Sequence, residues 1–257
     1  MPVIFPFGEG KTEKIVFDFL INKWFPENQF KKFISVGGKE RFKEKILNTV
    51  QGDLSAGRDE IRILAFRDLD DGEKIDNVVK SFRDIVRSLL TQWNFNPVEQ
   101  VVQQNTIYRW ECTSQSEREF AGLRFILHIA NHSSGELPFP LRNQTSDGYI
   151  LKISLSDHVL NHFARESKVK TSPDILRCLI TDKIPKIIRD KGINFDEDKD
   201  YLSGYLTASR FWVVRRTEEK TRLIKIILER SWTHDRKNFE QVFASWWTAI
   251  KEACSET

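Results

Sequence analysis

Ile61-Arg62-Ile63-Leu64-Ala65-Phe66-Arg67-Asp68-Leu69-Asp70-Asp71-Gly72-Glu73 is the stretch whose reading decides the fold class. The apolar run Ile61 to Phe66 reads as a short buried strand, and Asp68 to Gly72 as the turn that ends it. From Glu73 to Trp93, residues Ile75, Val78, Val79, Phe82, Ile85, Val86, Leu89 and Leu90 share one helical face. Upstream, Val3 to Phe7 reads as a strand that stops at the turn Gly8-Glu9-Gly10. A helix follows from Thr12 to Phe25, with Thr12 as its N-cap. A strand Lys32 to Val36, the pair Gly37-Gly38 and a helix from Glu40 to Val50 complete the series. The order βαβαβ implies a mostly parallel sheet flanked by helices, with a ligand crevice at the carboxyl ends of the strands. Glu9 and the pair Asp68/Asp70 fall just past two such ends.

Two further strands are expected at Thr106 to Cys112 and Arg124 to Ile129. The run from Asn131 to Gly148, rich in Ser, Gly, Pro and Asn, marks the best boundary. Residues 1–130 therefore read as an α/β core and residues 131–257 as a mostly helical extension, with or without packing on the core as one unit. Its helices are expected around Leu151 to Phe163, Pro173 to Lys191 with an interruption at Pro185, Tyr201 to Arg216 and Phe239 to Ala253.

The chain has 257 residues, 40 of them basic and 37 acidic, for a net charge of +3. Such a balance suits a soluble globule, and only local clustering of cations makes a nucleic-acid face. No apolar run reaches the roughly 20 residues of a membrane span, and the first residues lack a secretory pattern. Cys112, Cys178 and Cys254 are far apart in the sequence, as expected of buried free thiols in a reducing cytoplasm.

A carboxylate after the first strand and two more after the third converge if the strands are neighbours. Hard cations such as Mg2+ or Mn2+ bind through one or two carboxylates, water and substrate phosphate. The ion stabilises charge on a phosphodiester and activates water, leaving Glu9 to ligate it or to transfer a proton. The plainer alternative makes the acidic turn a helix start, with Asp71 and Glu73 complementing the dipole.

The strand followed by GEGKTE (Gly8 to Glu13), the turn Gly37-Gly38-Lys39 and ILAFRDLDDGE (Ile63 to Glu73) resemble the TOPRIM domain. The glycine pair with its following Lys most resembles small stand-alone bacterial TOPRIM proteins, the pattern also resembles overcoming-lysogenization-defect nucleases, and the resemblance covers Met1 to Ile129. It implies that Glu9 matches the family's strand-end glutamate and that Asp68 and Asp70 match its DxD. It further implies metal-dependent phosphodiester hydrolysis on nucleic acid, with DNA favoured over RNA as the partner but not selected by any motif. The family's second-metal acids have only Glu111, Glu117 and Glu119 as candidates here, and no motif selects among them. Gly10-Lys11-Thr12 resembles the end of a P-loop but lacks its earlier glycine, and DLDDG resembles a haloacid-dehalogenase motif in the wrong place.

Lys11 and Lys39, in turns at strand ends, are the candidates for holding phosphate. Arg215 and Arg216 lie in the densest basic stretch, which includes Arg210, Lys220, Arg222 and Lys225 around Phe211 and Trp212 and suits backbone contact with base stacking. Trp246 and Trp247 read as a packing face. His158 and His162 stand at i, i+4 but lack a third zinc ligand. The alternative function is a non-catalytic TOPRIM-shaped module that binds nucleic acid or protein. A protein partner or a second copy of the chain stays open.

Overall fold

The computed structural model describes residues 2–27, 30–55, 60–92, 102–104, 106–112, 122–130, 145–166, 172–212 and 220–255. The chain divides into two compact units, one comprising Met1–Leu69, Glu73–Ala130 and Ser245–Thr257, the other Asp70–Gly72 and Asn131–Ala244.

In the first unit, β1 (Val3–Gly8), β2 (Ile34–Ser35), β3 (Glu60–Arg67), β4 (Val102–Gln104), β5 (Ile107–Cys112) and β6 (Gly122–Ile129) form one sheet in the order β2-β1-β3-β6-β5-β4. The pairs β1–β2, β1–β3 and β3–β6 are parallel, while β5 runs antiparallel to both β6 and β4. The protein is thus α/β with a mostly parallel sheet, and helices predominate over the chain as a whole. The βαβαβ order is as expected, with α1 (Lys11–Trp24) and α2 (Phe42–Ser55) as the crossovers and α3 (Ile75–Gln92) after β3. Strand β4 is an addition to the sequence reading, three residues too few to show a period.

Strand alternation sorts the two sheet faces. Phe5, Phe7, Ile61, Ile63, Ala65, Phe125 and Leu127 join Phe42, Ile46 and Val50 of α2 and Val78, Phe82 and Ile85 of α3 in one core. Phe66 takes the other face, its ring 5.8 Å from that of Phe17 in α1 and stacked at 4.1 Å on Trp246 of α11 (Ala244–Cys254). Trp246 is fully buried, as its packing role requires, whereas Trp247 is 38% exposed beneath Lys251.

Helix α11 is the main departure from the expected division of the chain. Sequence periodicity groups it with the helical extension, yet Ser245–Thr257 belongs to the first unit. Arginines on neighbouring strands hold its carboxyl end. Arg62 donates to the Ala253 carbonyl at 2.7 Å, Arg124 donates to the carbonyls of Glu252 and Ser255 at 3.0 and 2.7 Å, and Arg109 pairs with Glu252 at 2.5 Å. Arg62 and Arg124 are buried and face each other in register, an arrangement that alone would be repulsive. The last carbonyls of a helix are unpaired acceptors carrying partial negative charge, so they satisfy both cations. Burial, followed by the neighbouring Arg62, still holds the Arg124 guanidinium pKa below its ordinary value.

The second unit contains α4 (Ser146–Ser154), α5 (Asp157–Glu166), α6 (Pro173–Cys178), α7 (Ile184–Arg189), α8 (Asp198–Trp212), α9 (Lys220–His234) and α10 (Arg236–Val242). The single helix expected over 151–163 is two, because Leu155 and Ser156 break the hydrogen-bond ladder between α4 and α5. The segment expected over Phe239 to Ala253 likewise divides into α10 and α11, and α9 was not anticipated. A π turn, Leu179–Lys183, joins α6 to α7 just ahead of Pro185, whose missing N–H cannot continue an α ladder. Thr145 caps α4, and the buried carboxylate of Asp198 accepts from its N–H at 2.9 Å and its hydroxyl at 2.6 Å. Among the described residues no helix is long and apolar enough to cross a membrane.

Candidate functional site

The crevice in the first unit follows from its strand order. Strand β1 connects outward to β2, whereas β3 lies on its other side, so the chain changes direction between β1 and β3. Loops diverge at such a switch point and leave space at the carboxyl ends of the strands. Gly8 pairs with Phe66 in register, which puts Glu9 level with Arg67.

Two glycine turns shape the rim. The Gly37 N–H donates to the Glu9 carbonyl at 3.0 Å and the Val36 N–H to the Gly8 carbonyl at 2.9 Å, tying the second turn to the first. Gly37 and Gly38 have φ of 77° and 131°, in the region that side chains disfavour, and so direct the chain into the 3-10 turn Lys39–Arg41. Gly8 is required sterically, since a Cβ there would lie 2.6 Å from the Phe33 ring. Helix α1 starts one residue earlier than expected. Gly10, not Thr12, is its N-cap, and Glu13 turns back to accept from the Gly10 N–H at 3.0 Å.

At the centre stands Arg67, the last residue of β3 and only 3% exposed. It donates to Glu9 Oε1 at 2.5 Å and to both carboxylate oxygens of Glu73 at 2.9 and 2.8 Å, and it also reaches the Asp68 carbonyl. The Asp68 N–H donates to Glu9 Oε1 at 3.3 Å. Lys39 Nζ lies 3.8 Å from Glu73 Oε1. Planar, bidentate pairing is what a guanidinium provides and an ammonium does not.

The structure therefore brings Glu9, Asp68 and Lys39 to one end of the sheet. Asp70 groups with the second unit, where Lys199 pairs with Glu197; that hydrogen bond chiefly raises the Lys199 pKa, and the charges of Asp200 and Asp70 add to it. Lys11 is the exposed first residue of α1. Arg215 and Arg216 lie outside the described residues, as do Glu117, Glu119 and His132. Lys220, Arg222 and Lys225 lie on the solvated side of α9, whose apolar side is buried.

Glu111 is excluded from this crevice by strand direction. It lies opposite Arg124, which lies opposite Arg62, and it pairs with Arg124 at 2.9 Å. Arg62 precedes Arg67 by five strand residues, roughly 16 Å at the usual rise. Among the described residues no three His, Cys, Asp or Glu side chains group as a metal site.

No family model, curated protein or solved structure matches this chain.

Among the described residues, His128, His162 and His234 have structural contacts. His128 is buried between Phe66 and Trp246, with Nε2 2.9 Å from the Ser245 hydroxyl, and burial pushes its pKa down to about 3. His162 stacks on His234 at 6.1 Å, and His158 is exposed. Cys112 is buried as expected, but Cys178 is exposed, on a helix whose inward side is taken by Leu176.

Sequence reasoning missed the two residues that organise the crevice. Arg67 ends an apolar run and reads as the start of a turn, while Glu73 reads as the opening of α3. That helix begins only at Ile75, which frees Glu73 to face back toward Arg67. The available signal was the charge alternation of Arg67-Asp68 and Glu73 at a strand end.

Proposed function

We propose that the protein is a TOPRIM-type nuclease that hydrolyses phosphodiesters of nucleic acid, with DNA the favoured substrate, using Mg2+ or Mn2+. The observation that carries this reading is the meeting of Glu9 and Asp68 at adjacent parallel strand ends, with the Asp68 N–H on the Glu9 carboxylate at 3.3 Å. A divalent ion that keeps much of its water needs only one or two carboxylates. Glu9 and Asp68 suit that requirement, and Asp70 follows two residues along the chain as the third carboxylate of the proposal. Bound there, the ion supplies charge stabilisation to the phosphodiester and a more acidic water.

The remaining work falls to side chains. Arg67 holds Glu9 in one orientation, in which its carboxylate is placed to accept a proton from water. Lys39, at the mouth beside Glu73, attracts backbone phosphate. Lys11, Arg215 and Arg216 are the further phosphate contacts of the proposal. The expected result is nicking of plasmid or degradation of single strands in Mn2+ that is lost in a folded Asp68→Asn variant. Equal activity in the two proteins would overturn the reading.

A second reading, a non-catalytic nucleic-acid-binding or protein-binding module, is favoured by one observation. Arg67 already neutralises both Glu9 and Glu73. DNA affinity indifferent to chelator, with no cleavage, would support it over the first.

A further inference from the structure

A cleft of about 370 Å³ opens on the face of the first unit covered by α2 and α3, beginning at the Arg67–Glu73 pair. We infer that this cleft is a binding site for a single nucleotide, its base set between α2 and α3 and its phosphate at Lys39 and Lys43. The role as a substrate subsite rests on the nuclease reading; the binding itself does not.

Size limits the ligand first. Ligand pockets span roughly 300 to 1,000 Å³, so this cleft is at the small end and takes one nucleotide rather than two. The walls then define its chemistry. The floor is apolar, formed by Phe42 and Phe82, buried rings in edge-to-face contact at 5.1 Å, with Val78 beside them. An aromatic base covers such a floor, and inorganic phosphate leaves it unused. Asn77, Ser81 and Asp84 follow one another along α3 at i, i+4 and i+7, all exposed on the cleft side. An amide, a hydroxyl and a carboxylate in a row offer both donors and acceptors, as the edge of a base requires.

Opposite them, Lys39 and Lys43 are four residues apart, both exposed and both lining the cleft. Two flexible ammonium groups at one end suit a phosphate, and they offset the excess of Glu40, Glu73 and Asp84 over Arg67 on the rest of the rim. Arg67 completes that end but is bound closely to two carboxylates, whereas Lys39 lies 3.8 Å from Glu73 on an exposed side chain, a longer contact that a phosphate can replace, with Lys43 beside it. The glycine turn Gly37-Gly38 fixes where Lys39 begins, which couples the cleft to the strand-end crevice through backbone rather than through a mobile side chain.

The test is calorimetry on the full chain in EDTA, with adenosine 5′-monophosphate, adenosine and inorganic phosphate as separate probes. The nucleotide should bind saturably, and adenosine and phosphate each about tenfold more weakly or worse. Lys43→Ala should weaken the nucleotide about tenfold and leave adenosine unchanged. Ser81→Trp, which fills the cleft from an exposed helix position, should abolish binding with an unchanged far-ultraviolet circular dichroism spectrum. No saturable nucleotide binding, phosphate bound as tightly as nucleotide, or binding indifferent to Ser81→Trp would each overturn the inference. Competition by a short single-stranded oligonucleotide assigns the nucleotide to a strand; competition only by free mononucleotide assigns it to the soluble pool. Binding is read in EDTA and cleavage separately in Mn2+, so nucleotide binding without Asp68-dependent cleavage would refute the nuclease reading alone, and Asp68-dependent cleavage without nucleotide binding would refute the cleft alone.

Discussion

Replacing Arg67 by Met tests how the crevice is held together. The guanidinium is 3% exposed and sits between Glu9 at 2.5 Å and Glu73 at 2.8 Å, whose own side chains are 20% and 21% exposed. Met preserves much of the aliphatic volume but leaves two carboxylates without their cation. Removing one partner of a buried pair costs about 3–5 kcal/mol, and each lost charge-assisted hydrogen bond about 1.5–3 kcal/mol. Water reaches part of both carboxylates and recovers some of that loss, so a net destabilisation of about 3 kcal/mol is expected. With a urea dependence of about 1–3 kcal/mol/M, the midpoint should fall by about 1–3 M. Because the chain has two units, the transition is best followed by tryptophan fluorescence, to which buried Trp246 and Trp110 of the first unit contribute. The triple variant Glu9→Gln/Arg67→Met/Glu73→Gln should recover most of the stability, because neither carboxylate is then left without Arg67, and the exposed Lys39 loses only a surface contact. A loss below about 1 kcal/mol in the single variant, or a triple variant no more stable than the single one, would refute the account of Arg67 as the organising cation.

Two further outcomes follow from the same unit. Burial lowers the His128 pKa to about 3, so as pH falls below about 6.5 the unfolded chain takes up a proton that the folded one refuses. The contribution is complete above that pH and declines toward pH 3, at up to about 1.4 kcal/mol per pH unit; His128→Gln should flatten this slope between pH 7 and 5, and an unchanged urea-midpoint difference would contradict it. Arg124→Met removes the donor to the Glu252 and Ser255 carbonyls and should lower stability by about 2–4 kcal/mol, with earlier hydrogen exchange in α11 than in β3. Uniform exchange across both elements would count against the arginine latch.

Local pattern was sufficient for the α/β core. The short apolar runs Val3 to Phe7 and Ile63 to Phe66, each stopped by a turn, identify strands, and the 3.6-residue stripe of α3 identifies a long amphipathic helix, a period fixed by backbone geometry. Glu9 and Asp68 were legible for the same reason: glycine and acidic turns mark where strands stop. Their adjacency needed the strand order, since β1 meets β3 only after the chain crosses to β2 and back. Arg67 and Glu73 have no sequence signature as partners, being six residues apart across a turn whose path depends on where α3 starts. Helix α11 is the clearest case of tertiary decision. Its periodicity says only that one side is apolar, and what assigns it to the first unit is the stacking of Trp246 on Phe66 and three arginines on separate strands, two bound to its terminal carbonyls and Arg109 to the Glu252 carboxylate. The sequence by itself determined the parallel strands, their crossover helices and the acidic turn of the α/β core, but not β4, α9 or the division of the C-terminal helices. Only the tertiary structure decided which cation holds Glu9, and that a helix distant in sequence covers the sheet.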